Sequence, residues 1–151
     1  MALAARYQLA SAAGDSEGTL AAARALADAR TGDPDTLRSA ALRLAAGGDF
    51  PRAAVCYQTI ADQTASPGTE LLGTLGAAWL RAGDLDAAAS AFERCRAAGP
   101  SDPRPLYYLG VIAGKRGDTA GARDWYRRAL AQDPTYARAA EALRGANPTI
   151  P

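Results

Sequence analysis

The chain has no histidine, and Lys115 is its only lysine. Without an imidazole, mechanisms that need a histidine base or a histidine metal ligand are excluded. Two cysteines, Cys56 and Cys95, cannot supply the four ligands of a structural zinc site and fall short of a disulfide framework. Each sits inside a helical pattern and reads as a small buried hydrophobe. Large aromatics are scarce, with two Phe and two Trp, so the 48% hydrophobic content rests largely on alanine. A core of that kind suits close-packed helices. Net charge is also nearly absent: 17 Lys and Arg against 16 Asp and Glu leave +1. That gives no global basic field for nucleic acid and no acidic tail. No apolar run approaches the ~20 residues of a membrane span, so no membrane insertion is expected. Residues 1–9 carry Arg6 in the middle of a short apolar stretch and do not read as a signal peptide. The cytoplasm is the default location, unless an export signal has been cut away.

What the chain does have is a repeat. Leu75-Gly76 recurs as Leu109-Gly110, Gly83-Asp84 as Gly117-Asp118, Ala88 as Ala122, Phe92 as Tyr126 and Pro100 as Pro134, each pair 34 apart. A fixed period of this length is the signature of stacked structural repeats.

Taken in order, residues 2–13 read as a helix of small residues with Leu3, Tyr7 and Ala10 on one stripe, broken by Gly14-Asp15. A second helix is expected over Thr19 to Arg30, which gives this first pair a longer inner turn. Asp33 is placed to cap the next helix, with Pro34 in its first turn. There Leu37, Ala40, Ala41 and Leu44 fall on one face, Gly47-Gly48-Asp49 makes the turn, and Ala53, Tyr57 and Ile60 mark the returning helix. Gly48 to Gly83 is 35, and the extra residue is assigned near Ser66-Pro67-Gly68. The third pair carries Leu72, Leu75, Gly76 and Trp79, then Ala88, Phe92 and Cys95. The fourth carries Leu106, Leu109, Gly110 and Ala113, then Ala122, Tyr126, Ala129 and Leu130. Tyr136 to Arg144 reads as a last helix covering the exposed end, followed by a tail without periodicity. Gly76 and Gly110 are expected where the two helices of a hairpin cross, so that backbones approach closely. Phe92 and Tyr126 are expected to fill the gap to the next hairpin.

These residues identify the resemblance. The Leu-Gly pair, the Gly-Asp turn, the small Ala, the aromatic four residues later and the closing Pro resemble the tetratricopeptide repeat family. Three such repeats are assigned to 35–134, a divergent N-terminal hairpin to 1–34, a capping helix to 135–145 and a tail to 146–151. The departures are Ala113 in the place of Trp79, Cys95 in the place of Ala129, and Ala41 in the place of the glycine. The resemblance implies an all-α, right-handed helical-hairpin solenoid.

Motifs that would carry chemistry fail on their own requirements. Gly14-Asp15-Ser16-Glu17-Gly18 has the hydrolase-elbow spacing but lacks a preceding strand and a histidine. Gly110 to Arg116 is one residue short of a phosphate loop, and Arg116 replaces the Ser or Thr. Asn147-Pro148-Thr149 has proline where glycosylation forbids it. Asp84, Asp86 and Asp118 sit at turns, where Asp caps helices. No catalytic residue, no metal ligand and no cofactor is therefore assigned.

The resemblance also implies that the first helix of each pair lines a concave side. The residues placed there are Arg38, Leu42 and Ala45; Glu70, Gly73, Ala77, Leu80 and Arg81; and Arg104, Tyr107, Tyr108, Val111 and Lys115. This is a floor of small and apolar residues with basic edges. It suggests a non-catalytic protein-protein interaction module or scaffold that takes a partner peptide or helix, with an acidic end as the form the basic edges favour. The alternative is a self-assembling structural scaffold, a homo-oligomer built through exposed end helices. One subclass of the family grips the C-terminal carboxylate of heat-shock chaperones with Lys, Asn, Asn, Lys and Arg. Here Arg38 and Arg104 stand at such places, but Leu42, Thr74 and Tyr108 replace the two Asn and the last Arg, which argues against that ligand. Arg104 is also singular in placing a cation in a helix's first turn, where Asp35 and Glu70 stand earlier and where the helix dipole favours anions. Either Asp102 offsets it, or it faces the groove to meet an acidic group.

Overall fold

A computed structural model describes residues 1–145; the expected tail, 146–151, lies outside the described residues. Among the described residues there are nine α-helices and no strand: α1 Leu3–Ala12, α2 Ser16–Ala29, α3 Pro34–Ala46, α4 Phe50–Gln63, α5 Thr69–Ala82, α6 Leu85–Ala98, α7 Pro103–Lys115, α8 Thr119–Gln132 and α9 Ala137–Gly145. The all-α fold matches the expectation. No helix among the described residues is long and apolar enough to cross a membrane.

The turns within hairpins share one device. Gly14, Gly48, Gly83 and Gly117 all adopt positive φ, between 69° and 83°, the left-handed conformation that ends a helix at little cost only for glycine. The aspartates after three of them cap the next helix: Asp15 accepts from the Gly18 amide, Asp49 from Arg52 and Asp118 from Gly121. Such caps satisfy amides that have no partner within the helix.

This corrects the expectation for the first pair. α2 starts at Ser16, not Thr19, because the Asp15 cap draws Ser16 to Gly18 into its first turn, and the Thr19 hydroxyl donates to the Asp15 carbonyl at 2.5 Å. The turn from Ala13 to Asp15 is thus no longer than those at 47–49 and 116–118. The extra residue falls as expected: 64–68 links α4 to α5 with five residues, while 99–102 and 133–136 have four each.

The chain divides into two compact units, Met1–Pro67 with Ala77–Asp84, and Gly68–Gly76 with the chain from Leu85 onward. In the first unit α1 packs on α2, α2 on α3 and α4, and α3 on α4. Its core is aliphatic and small, with Ala23, Leu26, Leu37, Ala40, Ala41, Leu44, Ala54 and Cys56 essentially inaccessible. Tyr7 is buried and its hydroxyl shares a hydrogen bond with Ser39 (2.8 Å). Asp49 also draws in Arg24 and Arg52, and Arg52 pairs with Asp28.

In the second unit α6 packs on α7, α7 on α8 and α8 on α9. The crossing glycines face rings rather than backbone. A Cβ on Gly76 would lie 2.7 Å from Cζ of Phe92, and one on Gly110 would lie 2.5 Å from Cε1 of Tyr126. The space saved by each glycine is filled by the ring from the returning helix of the same hairpin. Phe92 also reaches the next hairpin, stacking on Tyr108 with centroids 4.7 Å apart and planes at 8°. Tyr126 lies 5.9 Å from Tyr107 of its own hairpin and belongs to the cluster on which the end helix packs. α9 buries Ala139 beside Leu106 and Ala129. Its Ala142 and Leu143 pack against Ala113, Ala122 and Tyr126. Its outward residues Arg138, Glu141 and Arg144 are exposed, as suits an end cap.

Two outcomes test this packing. Gly110→Ala should lose about 1–3 kcal/mol, as overpacking does. Gly114→Ala, whose Cβ would meet only Ala122 at 3.9 Å, should be neutral or gain up to ~1 kcal/mol of helix propensity; paired thermal melts read the difference. Deleting the chain from Thr135 onward should uncover Tyr107, Trp125 and Leu130, seen as aggregation or a lower Tm.

Candidate interaction surface

The residues singled out in the sequence lie on the first helices; some face away from their unit's core and others are drawn into it. In the first unit these are Arg38 and Leu42 on α3, and Ala77, Leu80 and Arg81 in the last turns of α5. Helix α3 shows the logic: Leu37, Ala40, Ala41 and Leu44 are almost wholly buried, whereas Leu42 is 62% exposed. Leu42 is an apolar side chain that the unit's own core does not use. Arg38 is exposed and has no ion-pair partner among the described residues. It lies close enough to Tyr57 to oppose the upward push that burial gives that phenol's pKa. The Arg81 guanidinium sits 4.5 Å over the Phe50 ring, a cation–π contact that fixes its direction. Ala77 and Leu80 are half-buried.

In the second unit Gly73 lies on α5, and Arg104, Tyr107, Tyr108, Val111 and Lys115 lie on α7. These residues are not equivalent. Tyr107 is half-buried and packs edge-on to Tyr136 (5.8 Å) and against both core clusters, and Val111 packs on the Ala113, Ala122 and Tyr126 cluster. Much of their area already serves the unit's packing. Tyr108 is half-buried, lies against Phe92, and accepts a hydrogen bond from Arg138 (3.4 Å). Lys115 is exposed and unpaired among the described residues.

Arg104 is held by Asp102. Its Nε lies 2.9 and 3.0 Å from the two carboxylate oxygens and its Nη2 lies 2.7 Å from Oδ2, while its backbone amide also donates to Asp102. Of the two readings left open by the sequence, the offset by Asp102 is the one seen. The Arg104 guanidinium, aided by the backbone amide, holds the Asp102 carboxyl below the usual carboxylate range. The side chain nevertheless remains 65% exposed, with the Nη1 edge of its guanidinium uncommitted.

Arg138, which α9 brings to α7, was not singled out by sequence, and Tyr136, just before α9, was read there only as the start of the end helix. Arg138 stands 34 residues after Arg104, so continuing the repeat register into the last helix would have found it.

Neither thiol is set for chemistry. Burial pushes Cys56 up to about 12 and raises Cys95 as well, keeping both protonated and unreactive. Cys95 donates to the Thr69 carbonyl at 3.3 Å. Among the described residues no group of three or more acidic, Cys or His side chains could hold a metal ion.

The Asp102 shift sets a pH dependence. Its folded pKa lies below the unfolded ~3.9, so the stability it contributes is complete above that value and is lost as pH falls through the lower folded one. Asp102→Asn should flatten the acid limb of the unfolding curve below pH ~4. At neutral pH it should cost less than ~1 kcal/mol, because solvent screens the pair.

A family model described as tetratricopeptide repeat matches residues 38–103 and 74–137, together well over half of the chain. No curated protein matches the sequence. Among solved structures, MamA (41-end) from Desulfovibrio magneticus RS-1 is similar at 22% identity and a TM-score of 0.66, covering 97% of this chain and 85% of that one. The Yersinia enterocolitica type III secretion chaperone SycD, in complex with a peptide of the translocator YopD, is similar at 17% identity and a TM-score of 0.64, covering 75% and 91%. The first TPR of Spaghetti (RPAP3), bound to the HSP90 peptide SRMEEVD, is similar at 19% and 0.64, covering 76% and 90%. At these identities the likeness shows a shared fold. With the repeats matched in sequence and the helical hairpins present in the structure, the chain belongs to the tetratricopeptide repeat family.

Proposed function

We propose that the chain is a non-catalytic protein-interaction module that holds a peptide or helix of a partner protein on the outward sides of its first helices. The observation that carries this reading is Leu42, a 62% exposed leucine on a helix whose two other leucines are both buried, with the guanidinium of Arg38, which has no ion-pair partner among the described residues, one turn away. Exposed apolar groups beside charge are a common mark of interaction surfaces. The peptide complexes of SycD and RPAP3 support the reading, because both use this fold to hold a segment of another protein. Arg38 beside Leu42 favours a partner with carboxylates, whereas the replacements at Leu42, Thr74 and Tyr108 speak against the heat-shock C-terminal ligand.

The test is capture of a partner by the wild-type chain compared with Leu42→Asp and Arg38→Glu, all three first shown to share one melting profile. The expected outcome is loss of the captured partner in Leu42→Asp and weaker capture in Arg38→Glu. A partner held equally by all three would overturn the proposal. Self-assembly is the second reading, favoured by Leu9, 58% exposed on α1. It requires a scattering mass that rises with concentration and falls back in Leu9→Lys.

A further inference from the structure

The second unit has a cleft of about 410 Å³ that none of the residues above explains. It opens between α6, α8 and the 99–102 link, within the ~300–1,000 Å³ range of ligand clefts. Its floor is apolar: Leu106, 4% exposed, together with Ala97, Ala131 and the half-buried indole of Trp125. At one end the Gln132 side chain donates to the Pro100 carbonyl at 2.8 Å, so that acceptor is already satisfied.

Two guanidinium groups, Arg96 and Arg128, also line the cleft, and no lining residue carries a carboxylate. Each is steadied by an acid on its own helix that stands outside the cleft. Arg96 gives Nε and Nη2 to Glu93, and Arg128 gives Nη2 to Asp124 while lying 4.9 Å over the Trp125 ring. Among the described residues no hydrogen bond or ion pair engages the Nη1 group of either arginine. Cations above an apolar floor, with no anion among the lining, complement an apolar side chain flanked by carboxylates.

We propose that this cleft is a second protein-binding site, which takes an acidic peptide segment: one aliphatic side chain seats against Leu106 and Trp125, and its flanking carboxylates meet Arg96 and Arg128. Apart from Leu106 of α7, the lining lies on α6, α8 and the 99–102 link, and the site does not depend on the first-helix reading above.

Trp125 is a built-in reporter. In a nitrogen-15 NMR titration to millimolar probe, the indole N–H signals of Trp79 and Trp125 are told apart with Trp79→Phe. The probe is acetyl-Glu-Leu-Glu-amide, and the controls are acetyl-Gln-Leu-Gln-amide and acetyl-Glu-Ala-Glu-amide. The expected result is a saturable shift of the Trp125 indole by the first peptide, weaker with either control and weaker in added salt. Arg96→Ala with Arg128→Ala should weaken binding about tenfold, and Arg96→Lys with Arg128→Lys should restore part of it. A Trp125 signal that does not move, that moves equally with the Gln peptide, or that moves equally in the folded double Ala variant would overturn the proposal. In each case Leu42→Asp, which reads the α3 surface of the first unit, should leave the Trp125 response unchanged.

Discussion

The fold depends on one steric exchange at each helix crossing: a ring from the returning helix occupies the space that a missing or minimal side chain leaves on the first. Phe92 fills the place of a Cβ on Gly76, and Tyr126 that on Gly110. In an alanine-rich chain with few large side chains, these rings join the buried Leu72, Leu75, Leu106, Leu109 and Ile112 as the large groups their hairpins bury. Burying such a ring contributes roughly 1.5–3 kcal/mol, and it needs the bare backbone to do so. The same register positions in the second hairpin are Ala41 and Tyr57, both buried. In the first they are Tyr7 and Ala23, also buried. There the ring stands on the first helix and the small residue on the second, so each hairpin carries one ring and one minimal residue at these two register positions.

That exchange explains what the sequence revealed and what it hid. The third and fourth hairpins were legible because they share ring, glycine, turn and proline in one register, and the extra residue before α5 was placed from spacing alone. The first hairpin looked divergent because its ring had changed helices. Its turn was nonetheless in register, Gly14 lying 34 before Gly48. The start of α2 was misplaced because Ser16 and Gly18 are weak helix formers by propensity, whereas the Asp15 cap outweighs them.

The interaction surface was legible only as a set of outward positions. Sequence spacing gives the side of a helix on which a residue sits, but not whether a neighbouring helix uses it. Tyr107 and Val111 are outward on α7, yet α9 and its companions draw them into the second unit's packing. Arg104 broke a charge rule, and the reason proved local: a side chain that loops back to the cap residue two positions before it. Leu42 differs, because nothing in its own unit covers it.

The distribution of charge limits how such a surface can choose a partner. The chain carries 17 cations and 16 anions, and many pair at short range, as in Arg52 with Asp28 and Asp49, or Arg104 with Asp102. Exposed pairs of this kind add little stability, but they cancel the field beyond the ~8–10 Å over which salt would screen it in any case. Long-range steering of a partner is therefore weak. On the readings proposed above, recognition has to come from contact: an apolar side chain against Leu42 or the Leu106 and Trp125 floor, and carboxylates against guanidinium edges. Selectivity of that sort is expressed mainly in how slowly a complex falls apart rather than in how quickly it forms.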